Sequence, residues 1–367
     1  MTASLKRMTI RGFRSLRDVT LADLGPTTVL IGPNGSGKSN LLSAVQMLSM
    51  ITSEALPLYV GRNGGASFLM HYGPRQTPTI ELRVEFEDDG EAYAYEAELE
   101  YTLDESLVFL SETTAQRATA TQRWRQFPLG AGHRNTRMTA DGHRAVRRTR
   151  RLLQRLSFFH FHDTSARSEL RTNARKADDR FLRSDGSNLA AYLLRLKSSS
   201  DAAEQAAFHR IQNLMGYIAP FLRELDPVEI DAGAVRLDWI DDRGDRFGAA
   251  HLSDGSLRAL ALFTALGQPA GQLPLFCVID EPELGLHPAA LELFCDLVRS
   301  ASARCQIMLA TQSPALLDHF DAREVFVTER KEHATVFRRL DQDALSGWLE
   351  EYTLANLYHM NVLGGRP

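Results

Sequence analysis

The feature that most constrains this chain is the octapeptide Gly32-Pro33-Asn34-Gly35-Ser36-Gly37-Lys38-Ser39, which has the spacing G-x-x-x-x-G-K-[ST]. An apolar run at 28–31 precedes it. After it, Leu41, Leu42, Val45 and Leu48 recur at helical spacing. A strand, a glycine loop and a helix form the setting in which such a loop binds phosphate. The glycines let backbone N–H groups turn inward on phosphate oxygens, and the helix N-terminus adds partial positive charge. Lys38 is then expected on the β- and γ-phosphates, with the Ser39 hydroxyl on Mg²⁺.

The second signal is Leu275-Phe276-Cys277-Val278-Ile279-Asp280-Glu281-Pro282-Glu283. An apolar strand delivers two adjacent carboxylates at its end, where open α/β sheets bind ligands. Asp280 is expected to complete the Mg²⁺ shell through a water, and Glu281 to polarise an attacking water as general base. An acidic turn after a strand is common by itself. Its pairing with the phosphate loop gives it a chemical meaning.

Further stretches complete a pattern. These are Ile10-Arg11-Gly12-Phe13-Arg14-Ser15-Leu16, Leu252-Ser253-Asp254-Gly255-Ser256-Leu257-Arg258, and Leu284-Gly285-Leu286-His287-Pro288. With the two motifs above, they resemble the ATPase heads of the ABC superfamily, in its RecF, structural-maintenance-of-chromosomes (SMC) and overcoming-lysogenization-defect (OLD) branch. The similarity is greatest to short stand-alone ATPases of that branch. They are also resembled by Phe159-His160-Phe161-His162-Asp163-Thr164-Ser165, Asp185-Gly186-Ser187-Asn188-Leu189 and the closing Leu363-Gly364-Gly365-Arg366-Pro367. The resemblance implies an α/β ABC-type P-loop head, a mixed sheet plus an antiparallel β subdomain, with a mostly helical insertion. It implies ATP and Mg²⁺ as cofactors, and nucleotide contacts from Gly32 through Asn40 and from Arg14. It also implies a homodimer in which Ser253, Asp254 and Gly255 of one subunit serve the nucleotide held by the other. Two departures stand out. Asp254 replaces the first glycine of the usual L-S-G-G, and Gln312 stands where many relatives carry a histidine toward the γ-phosphate. Gln312 keeps a hydrogen-bond donor there without a charge. Gln76 is a candidate for the Q-loop.

The formal net charge of −4 excludes a uniformly basic nucleic-acid coat, but it is an average over a split chain. Residues 117–183 hold 17 Lys+Arg against 5 Asp+Glu, a local +12 that leaves −16 on the remainder. Two readings are open for this block. Arg117, Arg123, Arg125, Arg134, Arg137, Arg144, Arg147, Arg148, Arg150, Arg151 and Arg155 would track a phosphodiester backbone, with Trp124 for stacking. Alternatively they pair with the acidic 81–112 stretch, in which Arg83 is the only basic residue among 12 Asp+Glu, or with a protein partner.

Period-2 alternation predicts strands at 8–10 and 19–21 and an antiparallel meander over 79–110 with one solvated acidic face. Lost periodicity over 111–150 predicts a long loop or a partly disordered segment. Helices are expected at 189–196 and 202–215, a strand at 235–240, and alternating helix and buried strand from 257 to 327. The domains expected are an N-terminal half of the head (1–112), a basic insertion (113–225) and a C-terminal half (226–367). No sustained heptad predicts a coiled-coil arm.

Cys277, Cys295 and Cys305 are odd in number and show no zinc spacing, which favours reduced core thiols in a cytoplasmic protein. No signal-peptide pattern or membrane-length apolar run is present, so no membrane is expected. His160, His162 and Asp163 allow a metal reading, but the flanking phenylalanines favour a structural strand. The 185–188 turn is expected to cap the helix after it. The resemblance, with the basic block, implies an ATPase that clamps or senses DNA in repair or anti-phage defence. The alternative is an ATP-gated subunit that controls a separate effector protein.

Overall fold

Alternating apolar residues and glycine turns build the N-terminal part as β1 (Ala3–Phe13), β2 (Leu16–Ala22) and β3 (Thr27–Ile31), then α1 (Lys38–Thr52) and α2 (Leu56–Arg62). A meander of β4 (Thr79–Asp88), β5 (Glu91–Thr102) and β6 (Ser106–Arg117) follows, then β7 (Arg125–Gly130), α3 (Arg144–Leu153) and β8 (Leu156–Phe159). The middle of the chain holds β9 (Ala174–Arg175), α4 (Leu189–Ser198), α5 (Ala202–Ile218), β10 (Leu222–Asp231), β11 (Ala234–Asp241) and β12 (Arg246–Gly248). The last third alternates as α6 (Asp254–Gly267), β13 (Phe276–Asp280), α7 (Pro288–Ser302), β14 (Gln306–Thr311) and α8 (Pro314–Leu317). It closes with β15 (Val325–Lys331), β16 (Ala334–Arg339), α9 (Ser346–Leu349) and α10 (Leu354–His359). This computed structural model describes residues 3–119, 121–231 and 233–365, so Arg366 and Pro367 of the closing motif lie outside the described residues.

The chain divides into two units. The first runs to residue 158 and takes in 274–278 and the chain from 305 onward; the second comprises 159–273 and 279–304. The first unit contains a six-stranded sheet in the order β2-β1-β4-β5-β6-β7, antiparallel at every pairing. On β4 the alternation buries Ile80, Leu82, Val84 and Phe86 and turns Glu81, Arg83, Glu85 and Glu87 outward, as period 2 requires. A second six-stranded sheet has the order β16-β15-β3-β14-β13-β8. Its β3 is parallel to both β14 and β15, and all five β3 residues are buried. A strand buried along its whole length suits a covered parallel sheet.

Gln306 at the start of β14 links β1 to this sheet. Its Oε1 accepts from the Leu5 N–H at 2.5 Å, and its Nε2 donates to the carbonyls of Leu5, Leu24 and Gly25 at 3.0–3.2 Å. A buried amide satisfied on both ends fixes register where an apolar side chain could not.

The second unit has a four-stranded antiparallel sheet, β10-β11-β12 with β9 on β11. Its α4 packs on β10 and β11, and α5 and α7 pack on α6. Every residue of α6 from Leu257 to Gly267 is buried, which an almost wholly apolar helix requires.

Residues 111–150 are not a long loop. They complete β6, add β7 and form α3, so 113–158 belongs with the first unit. Periodicity was masked because β6 turns Ser111 and Glu112 against a β-bulge and α3 spends its polar face on five arginines. The stretch 113–225 carries α3, α4 and α5 together with strands, and is therefore not mostly helical. At 185–188, Asn188 occupies the N-cap of α4 without capping it by its side chain. Its amide braces the preceding loop, accepting from the Arg183 N–H and donating to the Asp178 and Phe181 carbonyls.

Candidate functional site

In the first unit, β3 leads into the glycine loop and α1 leaves it. Gly35 and Gly37 hold φ of 76° and 108°, the left-handed region open to glycine. Gly37 is the N-cap of α1, and no side chain caps the helix there. A methyl group at Gly37 would lie 1.8 Å from Thr335 Oγ1, and one at Gly32 would lie 2.3 Å from the Thr328 carbonyl oxygen. The loop backbone therefore packs against β15 and β16 with no room for a side chain at either glycine. Lys38 is buried, and its Nζ donates to the loop carbonyls of Gly32 at 2.5 Å and Pro33 at 3.1 Å. Buried Ser36 Oγ has no hydrogen-bond partner among the described residues, while Asn34, Gly35 and Ser39 are exposed. An uncapped helix start, a lysine folded over a glycine loop and an orphan hydroxyl form a cradle for an anion.

Asn40 and Arg14 lie beside this loop with other partners. The Asn40 amide donates to Ser15 Oγ at 2.6 Å. Arg14, at φ 49°, donates to Ser43 Oγ at 3.0 Å and to Asn63 Oδ1 at 2.5 Å, so its guanidinium braces α1 and the end of α2. Gln312 follows the end of β14 and is half-buried. Gln76 is exposed in a turn before β4.

In the second unit, Asp280 closes β13 and is buried, and its Oδ1 has no hydrogen-bond partner among the described residues. An orphan carboxylate oxygen suits a hydrated cation such as Mg²⁺, and in the first unit the exposed Ser39 hydroxyl is an oxygen donor of the same class. Glu281 adopts φ 42°, a strained conformation for a residue with a Cβ. Such strain at a chain reversal re-aims a side chain.

The signature segment starts α6. Ser253 is its N-cap, accepting from the Ser256 N–H at 3.1 Å, and both Ser253 and Asp254 are exposed. Gly255 is required by the chain at 284–288, because a methyl group there would meet the Gly285 carbonyl oxygen at 2.4 Å. The sequence did not single out Arg258 or Arg171, yet both hold this corner. Buried Arg258 donates to the carbonyls of Phe161 at 2.9 Å, His162 at 2.8 Å and Leu284. Burial pulls its pKa below the usual arginine value. Arg171 donates to the carbonyls of Thr164, Ala249 and Leu252, and to Asp254 Oδ1 at 2.8 Å. The acidic departure in the signature is thus matched by an arginine 83 residues upstream. No spacing rule would have linked the two.

The basic block splits. Arg148 pairs with the buried Asp88 carboxylate and lies 3.9 Å from Asp89, and Arg134 pairs with Asp104 at 2.7 Å. Arg117 lies over the Trp124 ring at 4.5 Å and Arg125 over Phe127 at 5.3 Å. Arg144, Arg147 and Arg151 share one exposed face of α3 at spacings of three and four, and with Arg148 they line a cavity of about 420 Å³. The three cysteines are buried free thiols, and burial pushes Cys295 up to about 12. No helix among the described residues is long and apolar enough to cross a membrane.

Residues 27–318 match the protein family described as "AAA domain, putative AbiEii toxin, Type IV TA system". A Thermus scotoductus protein named OLD nuclease is 23% identical over 390 aligned residues, covering 99% of this chain and 68% of that protein. A Cyanothece DNA replication and repair protein RecF is 45% identical over 49 residues, 13% of each chain. Among solved structures, an SMC head bound to the C-terminal winged-helix domain of ScpA superposes with a TM-score of 0.60 at 12% identity, over 94% of this chain and 99% of that one. A Pyrococcus furiosus SMC head with an extended coiled coil gives 0.57 at 14% identity, over 95% and 99%. At such identities the likeness shows the fold, that of an SMC-type ATPase head.

Proposed function

The chain belongs to this AAA-domain family, within the RecF, SMC and OLD branch of ABC-type ATPases, and we propose that it binds and hydrolyses ATP as a homodimer sandwiching two nucleotides. The observation that carries this reading is the uncapped start of α1 behind Gly37, with Lys38 folded over the same loop. Loop N–H groups and Lys38 hold the β- and γ-phosphates, and Ser39 and Asp280 hold Mg²⁺, which neutralises charge on the phosphates. Glu281 accepts the proton of the attacking water, and Gln312 donates a hydrogen bond toward the γ-phosphate. The exposed Ser253 hydroxyl and the Gly255 N–H serve the nucleotide of the partner subunit. ATP thereby contributes association free energy that ends when the γ-phosphate leaves. Buried reduced thiols fit a cytoplasmic setting.

The exposed arginine face of α3 supports DNA as the polymer acted upon, in repair or in defence against phage. A second reading is also favoured by an observation. Arg134 and Arg148 are spent on the protein's own carboxylates, which shrinks the free basic surface and suits an ATP-gated regulator of an effector protein. The test is ATP turnover with and without DNA, with Lys38→Ala as control. Replacing Glu281 by Gln should trap an ATP-dependent dimer by size-exclusion chromatography. A monomer under saturating ATP removes the sandwich reading, and turnover indifferent to DNA favours the regulator.

A further inference from the structure

His160 and His162 follow β8 and alternate in sequence with Phe159 and Phe161, both of which are buried. The strand expected from the phenylalanines ends at Phe159, but burial still alternates beyond it, with Phe159 and Phe161 buried, His160 exposed and His162 half-buried. Their ring centroids lie 3.9 Å apart. Both rings meet the end of β13. His160 Nδ1 is 3.6 Å from Asp280 Oδ2, and His162 Nε2 is 3.0 Å from the Asp280 carbonyl oxygen. One donor atom from each of His160, His162 and Asp280 falls within 4.8 Å of the others. Asp280 is 7% exposed, and its Oδ1 is without a hydrogen-bond partner among the described residues.

We propose that His160, His162 and Asp280 form a binding site for a divalent transition-metal cation of the zinc class. Magnesium takes oxygen ligands and gives no role to two imidazoles, whereas borderline cations favour a set of two nitrogens and a carboxylate. Metal–nitrogen bonds of about 2.0–2.1 Å place tetrahedral donors roughly 3.3 Å apart, so the three groups need only close by side-chain rotation. A carbonyl oxygen only accepts, so His162 Nε2 carries the proton and its lone pair lies on Nδ1. A backbone carbonyl as second partner is the arrangement that fixes the tautomer of metal-bound imidazoles. Arg258 holds the segment in place through the carbonyls of Phe161 and His162. A cation held here draws on the same carboxylate that the ATPase reading assigns to Mg²⁺, and so opposes turnover. That consequence rests on the ATPase reading; the binding does not.

The experiment is titration of the nucleotide-free full chain with Co²⁺, followed by its visible d–d absorption, with Zn²⁺ stoichiometry from equilibrium dialysis. The expected result is one Co²⁺ per chain, displaced by Zn²⁺, with affinity falling at least about tenfold in His160→Ala and in His162→Ala. Lys38→Ala, which removes the nucleotide contact, should bind Co²⁺ as the unmodified chain does. Because His160 is exposed, its replacement tests the site without disturbing the core; circular dichroism checks the His162 variant. Absence of a stoichiometric Co²⁺ site, or full affinity in His160→Ala, overturns the proposal. In a parallel arm, Zn²⁺ should inhibit ATP turnover of the unmodified chain at concentrations that spare His160→Ala. A chain that binds Co²⁺ yet shows no turnover sinks the ATPase reading and leaves the metal site standing.

Discussion

The Thr335 hydroxyl donates a 2.9 Å hydrogen bond to the carbonyl oxygen of Ser36, in the middle of the phosphate loop and 299 residues away in sequence. It continues a chain in which Asn40 donates to Ser15 Oγ and Ser15 Oγ lies 2.6 Å from Thr335 Oγ1. The Ser15 carbonyl also accepts from the Thr335 N–H at 2.8 Å. The loop is thus held in an anion-binding shape by a turn and a strand outside the motif.

Replacing Thr335 by Val keeps the volume and removes the donor. One net hydrogen bond is worth about 1 kcal/mol, so nucleotide affinity should fall several-fold. Gly37→Ala should do far more, since its Cβ would collide with Thr335 Oγ1 at 1.8 Å in a left-handed conformation. Titration with a fluorescent ATP analogue ranks the two. Equal affinity in Thr335→Val would show that the loop keeps its shape without the chain of hydroxyls.

The acidic signature residue supports a second expectation. Arg171 is 9% exposed at its side chain, whereas Asp254 is 68% exposed. Asp254→Gly removes only a largely solvated ion pair and should cost less than about 1 kcal/mol of stability. Arg171→Ala strips partners from the carbonyls of Thr164, Ala249 and Leu252 and should cost about 2–3 kcal/mol. Urea denaturation separates them, and comparable losses would refute this division of roles.

These two cases show what the residues revealed unaided and what they hid. The loop at 32–39, the carboxylates at 280–281 and the meander were legible because each is local: a fixed spacing or a short period carries it. Arg258 ends the signature stretch at 252–258, yet its three carbonyl partners lie 26–97 residues away. Arg171 and Thr335 were hidden for the same reason. The segment 111–150 was misread because a bulged strand and an arginine-rich helix leave weak apolar periods. The basic block resolved into two populations only once each arginine's neighbours were known.

That division is testable on α3. Arg148 pairs with an Asp88 side chain that is 2% exposed, and the carboxylate's hydrogen bond raises the arginine's pKa above its usual value. Arg148→Ala leaves a buried charge unpaired and should destabilise the fold by about 3 kcal/mol. Changing Arg144, Arg147 and Arg151 together to Ala should leave thermal stability nearly unchanged while weakening DNA binding and flattening its salt dependence. DNA affinity that survives the triple change would place the contact elsewhere.

The second unit should lose stability in acid. Burial alone would raise the Asp226 pKa, but the Lys197 ammonium at 2.7 Å and Arg246 at 2.5 Å outweigh it and hold Asp226 below the usual carboxylate range. Glu204 behaves alike: burial raises its pKa, and hydrogen bonds from Ser199 and Arg195 lower it further than burial lifts it. A carboxylate whose folded pKa is depressed contributes stability above its unfolded value, near 4, and loses it as pH falls through the folded value. Urea midpoints should therefore be flat from pH 7 to about pH 5 and fall below about pH 4. Lys197→Met should steepen no part of that acid limb but lower the neutral plateau, because Asp226 then loses one of its two cations. A plateau unchanged in Lys197→Met would mean that Arg246 alone holds the carboxylate.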